Sequence, residues 1–345
     1  MNCINRKAFE FCNILTWHKA GYTGKGVKIA HLEGNFDTAL PFFDGKVLDP
    51  FNTSVAGLLN VHQQKTCDII HQVAPDATIY TLPTSYPAKP GMIESMEFCI
   101  KEGIQLASMS LGGSTIDEVV KEEIKAYQNG VFLLKSAGNE GSRGLNELTK
   151  MEHWFSVGAC HLTKDKPVRA SYSSYGPELD IMALSNLYVH DAKTPGRIFT
   201  QEGTSFSSPF AAGMLALFYQ WFMEAYGRFP FISEAKEFIY DNCLDLEILG
   251  FDNYTGYGLF ILPPEIPEPE KADISDKEVK NSMRIELHIN SNVIKVNGVQ
   301  KSIDTAPFIK DNRTFVPIRF IAEEMGLKVT PVYQGGKTVS VIIEG

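Results

Sequence analysis

The chain has 345 residues, of which 44% are hydrophobic and 21% are charged, and its formal net charge is −9. This composition excludes wholesale disorder, because the chain can bury at least one large core, and the length favours two domains. The acidic balance excludes a nucleic-acid partner, since phosphate contacts need a basic face.

The N-terminal stretch, residues 1–26, lacks the apolar core and the small-residue cleavage site of a secretory signal. No apolar span is long enough to cross a bilayer. We therefore expect a cytoplasmic product, with extracellular release by another route as the alternative. The six cysteines lie without CxxC pairs, so we expect small buried residues rather than a disulfide framework or a metal site.

Short apolar runs typical of β-strands recur between residues 27 and 183. They lie at 27–32, 78–82, 104–110, 131–136, 155–160 and 179–183. Helical patterns separate several of them, at 92–103 and at 116–130. Strands that alternate with helices predict an α/β fold, with a mostly parallel sheet covered by helices on both faces. In such sheets ligands bind outside the carboxyl ends of the strands.

Two stretches near the first strands carry candidate acid and base side chains. Glu33 directly follows the first strand, where a lone acid is more often simply solvated. If residues 62–72 form a helix, His62 lies in its first turn and His71 lies about half a turn round the cylinder. Only one of these histidines can face a given site, and each alone also fits a structural histidine.

Glycine-containing turns follow two further strands. ASMSLGGS at 107–114 ends a strand at Ser110, and its glycines suit either an edge that an extended peptide pairs with or a plain turn. LLKSAGNEGS at 133–142 places Asn139 in a turn, where its amide either contacts an oxyanion or serves the turn itself.

A hydroxyl-rich turn at 201–208 runs directly into an apolar segment, 209–222. The segment predicts a buried helix, and hydroxyl residues before a first-turn proline are typical of helix caps. The same position suits a nucleophile, because unpaired N–H groups at a helix start stabilise a developing oxyanion. On this stretch alone, capping and nucleophilic attack explain Ser205 equally well.

Together and in this order, these stretches resemble the subtilisin-like serine proteases, the subtilases. The resemblance covers residues 15–260 and rests on GTSFSSPFAAG at 203–213, SAGNEG at 136–141, SLGG at 110–113, the segment 62–75 and RASYSSYGPELD at 169–180. It implies a subtilisin-like fold and a serine endopeptidase that takes protein or peptide substrates. The order acid, histidine, serine is that of the subtilisin triad.

The resemblance assigns a role to each matched residue. It makes Ser205 the nucleophile, His62 the general base, Glu33 the acid that orients the base, and Asn139 the side-chain oxyanion donor. The backbone segments that line the substrate cleft would be Ser110, Leu111 and Gly112, and Ser136, Ala137 and Gly138.

Two positions depart from the family pattern. Glu33 stands where subtilases have aspartate, and His62 is followed by Gln63 and Gln64 instead of glycine and threonine. A well-placed carboxylate of either length can orient the imidazole, but a displacement of about 1 Å would cost about a hundredfold in rate. Asp37 is the fallback acid. The alternative function is a catalytically impaired, subtilase-like peptide-binding or scaffolding protein.

Proline and alternating charge at 263–280 predict a linker between a protease domain, 1–262, and a small α+β domain, 281–345, with one helix near 317–325. RTFVPIRFIAEEMG at 313–326 resembles the copper amine oxidase N-terminal-like, or stalk, domain. This implies docking to another protein or a cell-surface component, and a stabilising appendage is the alternative. His288 is the only histidine of this domain, so no copper site is expected.

No cofactor is expected from the residues alone. Many subtilases bind calcium, and the resemblance therefore raises that ion as a candidate. The segment 62–75 has no room for the family's calcium loop, and no EF-hand pattern is present. Asp37 and Asp44 are the candidate calcium ligands.

Overall fold

The computed structural model describes residues 3–85, 87–113, 115–145, 147–164 and 166–269, together with separate segments between 285 and 344. The chain divides into two compact units, residues 1–269 and 270–345. All candidate site residues lie in the first unit.

The first unit is built on one large, mostly parallel sheet. Its strands and those of a flanking hairpin are β1 Lys28–Leu32, β2 Val47–Leu48, β3 Thr78–Leu82, β4 Leu106–Met109, β5 Phe132–Ser136, β6 Trp154–Thr163, β7 Lys166–Arg169, β8 Ile181–Leu184, β9 Leu187–His190, β10 Ile198–Gln201, β11 Cys243–Leu244 and β12 Leu259–Phe260. The sheet order is β11-β12-β8-β6-β5-β4-β1-β3-β2, with β7 paired to β6. Only β7 and β11 join it in antiparallel fashion, which confirms the predicted α/β class.

Helices cover both faces of this sheet. Their bounds are α1 Arg6–Phe11, α2 Ile14–Lys19, α3 His62–Val73, α4 Met92–Glu102, α5 Asp117–Gln128, α6 Thr204–Tyr226 and α7 Ile232–Asp241. Side chains of α3 and α6 are buried together with Ile29 of β1 on one face of the sheet. Those of α4 and α5 bury with the next residue of the strand, Ala30, on the other face, because successive side chains of a strand alternate between faces.

Helix α6 begins at Thr204, five residues before the predicted start at Pro209. Gly203 occupies the cap position with φ of 130° and no side-chain cap bond, a conformation that favours glycine. Ser205 therefore lies inside the first turn of the helix and is not its cap. Although α6 has 23 residues, none of the helices that the structure describes is long and apolar enough to span a membrane.

Helices α3 and α6 pack closely on each other. A β-carbon added at Gly213 of α6 would lie 2.6 Å from the Cβ atom of Val73, the last residue of α3. This distance is far shorter than an ordinary van der Waals contact. The absence of a side chain at Gly213 therefore sets how near the two helices come.

Residues 263–269 of the predicted linker belong to the first unit and contact its helices α2 and α6. The Trp17 indole N–H donates to the Pro263 carbonyl at 3.0 Å, and the Trp221 indole N–H donates to the Pro267 carbonyl at 3.1 Å. The rest of that linker, 270–280, lies outside the described residues.

The described part of the second unit consists mainly of antiparallel strand pairs. Its strands are β13 Ile285–Glu286, β14 Val293–Val296, β15 Val299–Ser302, β16 Phe308–Lys310, β17 Arg313–Phe315, β18 Lys328–Gln334 and β19 Lys337–Glu344. They form the sheets β13-β14-β15, β16-β17 and β18-β19. His288 and most of the predicted helix at 317–325 lie outside the described residues.

Candidate active site

The topology brings Glu33 and His62 together. Glu33 follows the carboxyl end of β1, and His62 is the first residue of α3. The His62 Nδ1 atom lies 2.8 Å from Glu33 Oε2, with the carboxylate side chain fully buried and the imidazole 41% exposed. The longer acid therefore reaches the ring and leaves the Nε2 side of the imidazole for other chemistry.

The two groups shift each other's titration. Burial alone would raise the pKa of Glu33, but the favourable interactions with His31 and His62 outweigh it and lower that pKa to about 2. The hydrogen bond with Glu33 raises the pKa of His62 above its ordinary value of 6.5, against the opposing effect of burial. Glu33 is therefore ionised at neutral pH and favours the protonated imidazole.

Ser205 lies in the first turn of α6, next in sequence to a residue that packs on His62. The His62 ring packs against the ring of the following residue, Phe206, with the centroids 5.9 Å apart. The Ser205 hydroxyl donates to the Ser110 carbonyl at 3.3 Å. Within the described residues it makes no hydrogen bond to His62, a contact that is often long before substrate binds.

The backbone of Ser205 is held by Ser110. Pro209 has no N–H group, so the Ser205 carbonyl four residues earlier lacks its usual helical donor. The Ser110 hydroxyl donates to this carbonyl at 2.9 Å. Ser110 therefore restores the bond that the proline removes and ties the end of β4 to the start of α6.

Asn139, which follows β5, contacts the residue before Ser205. Its Oδ1 atom accepts hydrogen bonds from the Thr204 backbone N–H at 2.9 Å and from the Thr204 hydroxyl at 3.0 Å. Because a backbone N–H can only donate, the atom facing Thr204 is the oxygen. The Nδ2 donor then points away from Thr204, and it has no hydrogen-bond acceptor within the part of the chain that the structure describes.

The turn before Ser205 is fixed by another matched motif. The Gly203 N–H donates to the Tyr172 hydroxyl at 2.9 Å, and Tyr172 comes from the stretch RASYSSYG. The Gly138 N–H donates to the Thr204 hydroxyl at 3.2 Å. These bonds hold the first turn of α6 from two sides.

The two predicted cleft segments lie at the carboxyl ends of two neighbouring strands, on the same edge of the sheet. Ser110–Gly112 follows β4, and Ser136–Gly138 spans the end of β5, the parallel neighbour of β4. Leu111 is half-buried and Gly112 is exposed, whereas Ser136 and Ala137 are buried. The exposed backbone beyond β4 is therefore the part open to an extended peptide.

Sequence reasoning missed a buried lysine behind this segment. Lys135 on β5 is fully buried, and its Nζ atom donates to the Leu111 carbonyl at 2.7 Å and lies 5.2 Å from the Trp154 ring centroid. Burial lowers the pKa of Lys135 to about 8 despite the opposing charges of Glu123 and Glu33. A lysine inside the apolar strand FLLKS was the available signal.

Sequence reasoning also missed His31, two residues before Glu33 on β1. The ring is fully buried, with Nε2 at 2.9 Å from the Thr66 hydroxyl and 3.6 Å from Glu33 Oε1. The period of two in a strand places His31 and Glu33 on one face, which was the signal that could have found it.

The remaining candidates lie apart from the site. Asp37, the fallback acid, accepts hydrogen bonds from the N–H groups of Ala39 and Gly57 at 3.1 and 2.8 Å. His71 meets the Phe43 ring edge-on near the far end of α3. Across the described residues, no three histidine, cysteine or acidic side chains come together as a metal site, so Asp37 and Asp44 are not part of such a cluster.

Comparisons with known proteins identify related families. The chain matches the subtilase family over residues 52–258 and the copper amine oxidase N-terminal domain over residues 270–341. It is 30% identical over 223 residues to Subtilisin NAT of Bacillus subtilis subsp. natto, covering 58% of this chain and 57% of that protein. It is 29% identical over 223 residues to Subtilisin of Bacillus pumilus, covering 58% of this chain and 79% of that protein.

A solved structure, the crystal structure of a lanthipeptide protease, has the same fold. Its TM-score is 0.61 at 20% identity, over 74% of this chain and 93% of that chain. The subtilase match spans more than half of the residues of the present chain. This chain therefore belongs to the subtilase family. The chain covers less than two thirds of the length of Subtilisin NAT, and Glu33 lies before the matched range.

Proposed function

We propose that this protein is a serine endopeptidase that hydrolyses peptide bonds through a triad of Ser205, His62 and Glu33. The observation that carries the proposal is the 2.8 Å contact between His62 Nδ1 and Glu33 Oε2. A carboxylate at this nitrogen keeps the proton on Nδ1, so Nε2 is the basic atom. Glutamate thereby takes the role that aspartate has in other subtilases.

In the proposed acylation step, the Ser205 Oγ atom attacks the carbonyl carbon of the substrate. Its proton passes to Nε2 of His62, and Glu33 stabilises the imidazolium that forms. When the tetrahedral intermediate collapses, the C–N bond breaks and His62 gives the proton to the leaving amine. A water molecule then repeats the sequence on the acyl-enzyme and releases the second product.

The negative charge of each tetrahedral intermediate needs donors. We assign these to the Asn139 side-chain amide and to the Ser205 backbone N–H, which lies in the first turn of α6, where helical N–H groups have no helical acceptor. The 2.9 Å bond from the Thr204 N–H to Asn139 Oδ1 supports this assignment, because it turns the amide donor away from the helix. The substrate would lie extended along residues 110–112.

The test is labelling by a fluorophosphonate probe together with digestion of casein. The wild type should be labelled and should cleave casein, and Ser205→Ala should do neither while keeping the circular dichroism spectrum of the wild type. A folded wild type that takes up no probe and cleaves no casein or peptide library would overturn the proposal.

A peptide-binding protein without turnover is the second candidate. It is favoured by one observation, the hydrogen bond that Ser205 Oγ makes to the Ser110 carbonyl at 3.3 Å. In that case Glu33→Gln and His62→Ala would bind peptides as the wild type does. Neither the wild type nor the two variants would cleave these peptides. Cleavage by the wild type that is lost in both variants would exclude this candidate.

A further inference from the structure

His31 is an ionisable side chain buried against the proposed catalytic acid. It is 0% exposed, and its ring meets the Phe36 ring edge-on with the centroids 5.9 Å apart. A buried polar group without hydrogen bonds is costly. The contacts of its two ring nitrogens therefore show which neighbouring groups the ring binds.

The contacts show that Nε2 of His31 is a hydrogen-bond donor. The Thr66 hydroxyl donates to the carbonyl oxygens of His62 at 3.3 Å and Gln63 at 3.0 Å, so it accepts from His31 Nε2 at 2.9 Å. The Nδ1 atom of His31 is buried and has no hydrogen-bond partner among the described residues. Nε2 of His31 therefore carries a proton, which it donates to the Thr66 hydroxyl.

The same N–H group faces the carboxylate of Glu33. Nε2 of His31 lies 3.6 Å from Oε1, and this oxygen is buried without a hydrogen bond among the described residues. The other oxygen, Oε2, binds His62. The carboxylate thus lies between two imidazoles, with one ring at each oxygen.

We propose that His31 is a positioning residue for the catalytic acid: its Nε2–H group faces Glu33 Oε1 and holds the carboxylate in the rotamer that places Oε2 on His62. This rests on the proposed function, because it concerns the same triad. Glutamate has one more side-chain torsion than aspartate and so needs one more restraint. Thr66 connects the restraint to the first turn of α3, which carries His62.

The charge of Glu33 also acts on two other buried groups, Cys67 and Lys135. It adds to the effect of burial and of Asp68 in raising the pKa of the Cys67 thiol on α3. It opposes the effect of burial on Lys135 of β5, whose pKa is lowered to about 8. A titration of the site must therefore separate His62 from these neighbours.

Three variants test the proposal. His31→Phe keeps an aromatic ring but removes the donor, whereas His31→Gln keeps an N–H donor. His71→Phe is the matched control, because His71 is also a buried histidine with an edge-on phenylalanine, and its Nδ1 atom has no hydrogen-bond partner among the described side chains and backbone. We expect His31→Phe to lower kcat by about tenfold or more, since small displacements of catalytic groups are costly, with KM unchanged. His31→Gln should restore most of the rate, and His71→Phe should match the wild type.

A readout without turnover separates this inference from the proposed function. NMR titration of His62 should give a lower pKa in His31→Phe than in the wild type, because Oε2 no longer stays on Nδ1. A wild type without protease activity would overturn the proposed function, and the titration would still test His31. If kcat and the His62 titration are the same in the wild type and His31→Phe, the inference is wrong.

Should His31→Phe fail to fold, Thr66→Val removes the acceptor of the Nε2–H group with little change of shape. It should lower kcat and the pKa of His62 in the same direction, by a smaller factor. Wild-type values for both quantities in a folded Thr66→Val protein would overturn the inference.

Discussion

The Ser110 hydroxyl donates a hydrogen bond to the Ser205 carbonyl, at 2.9 Å. This carbonyl would bond to the backbone N–H of residue 209 in an uninterrupted helix, and that residue is proline. The side chain after β4 and the proline in α6 therefore form one coupled unit around the proposed nucleophile.

We expect Ser110→Ala to lower the free energy of unfolding by about 1–3 kcal/mol, because it leaves the Ser205 carbonyl without a donor. In a Pro209→Ala background, residue 209 supplies an N–H group, so Ser110→Ala should cost less. Urea unfolding of the wild type, both single variants and the double variant measures the coupling, about 1 kcal/mol. Strictly additive effects would show that the two residues are independent.

The charge pair predicts the pH dependence of catalysis. His62 must be neutral to accept the Ser205 proton, and Glu33 raises its pKa above 6.5. Activity should therefore be lost as pH falls through a midpoint above 6.5, the ordinary value. Glu33→Gln should move the midpoint of kcat/KM to lower pH and reduce kcat by about 10⁴-fold. An unchanged midpoint in Glu33→Gln would contradict the assignment.

Glu33 also links stability to pH. Its pKa is about 2 in the folded protein, below its ordinary value of 4.5. A lowered pKa stabilises the fold above pH 4.5, and this stabilisation is lost as pH falls towards 2. Urea midpoints of the wild type and Glu33→Gln should therefore change differently with pH over this range. Parallel curves for the two proteins would contradict the pKa shift.

Asn139→Ala should lower kcat by about 10²- to 10³-fold with little change in KM, since an oxyanion donor acts mainly in the transition state. Asn139→Asp is the companion variant, because it keeps the oxygen that accepts from Thr204 but loses the amide donor. Both variants should lose activity, and Asn139→Asp should retain more of the stability. Steady-state kinetics and urea unfolding measure the two effects. A kcat for Asn139→Ala close to that of the wild type would remove Asn139 from the site.

Lys135→Met should raise KM for peptide substrates more than it lowers kcat. The buried Nζ atom holds the Leu111 carbonyl at 2.7 Å, and without it the segment 110–112 is less well ordered for pairing with a peptide. Lys125→Met is the control, because that lysine is 54% exposed and pairs with Glu122 on α5. Equal KM values for the two variants would show that Lys135 has no part in substrate binding.

Local patterns predicted the strands and helices that frame the site. The run 78–82 matches β3 at both ends, and the run 27–32 differs from β1 by one residue. The contact between Glu33 and His62 could be expected only from the family resemblance, because no local pattern brings β1 and α3 together.

The errors have long-range causes. The usual first-turn position of proline predicts that α6 begins at Pro209. The helix instead begins after Gly203, and Ser110 bonds to the Ser205 carbonyl across 95 residues. Local patterns place Lys135 and His31 on their strands, but their hydrogen-bond partners, Leu111 and Thr66, lie 24 and 35 residues away. Periodicity cannot reveal such pairs.

The close packing of Gly213 on Val73 links the spacing of two buried helices to the rate of the proposed reaction. His62 and Ser205 lie in the first turns of α3 and α6. The distance between the His62 ring and the Ser205 hydroxyl therefore depends on the distance between the two helix axes. Gly213 lies about 12 Å along α6 from Ser205, yet one methyl group there would collide with Val73 and wedge the helices apart. Turnover would then slow although every reactive atom is still present.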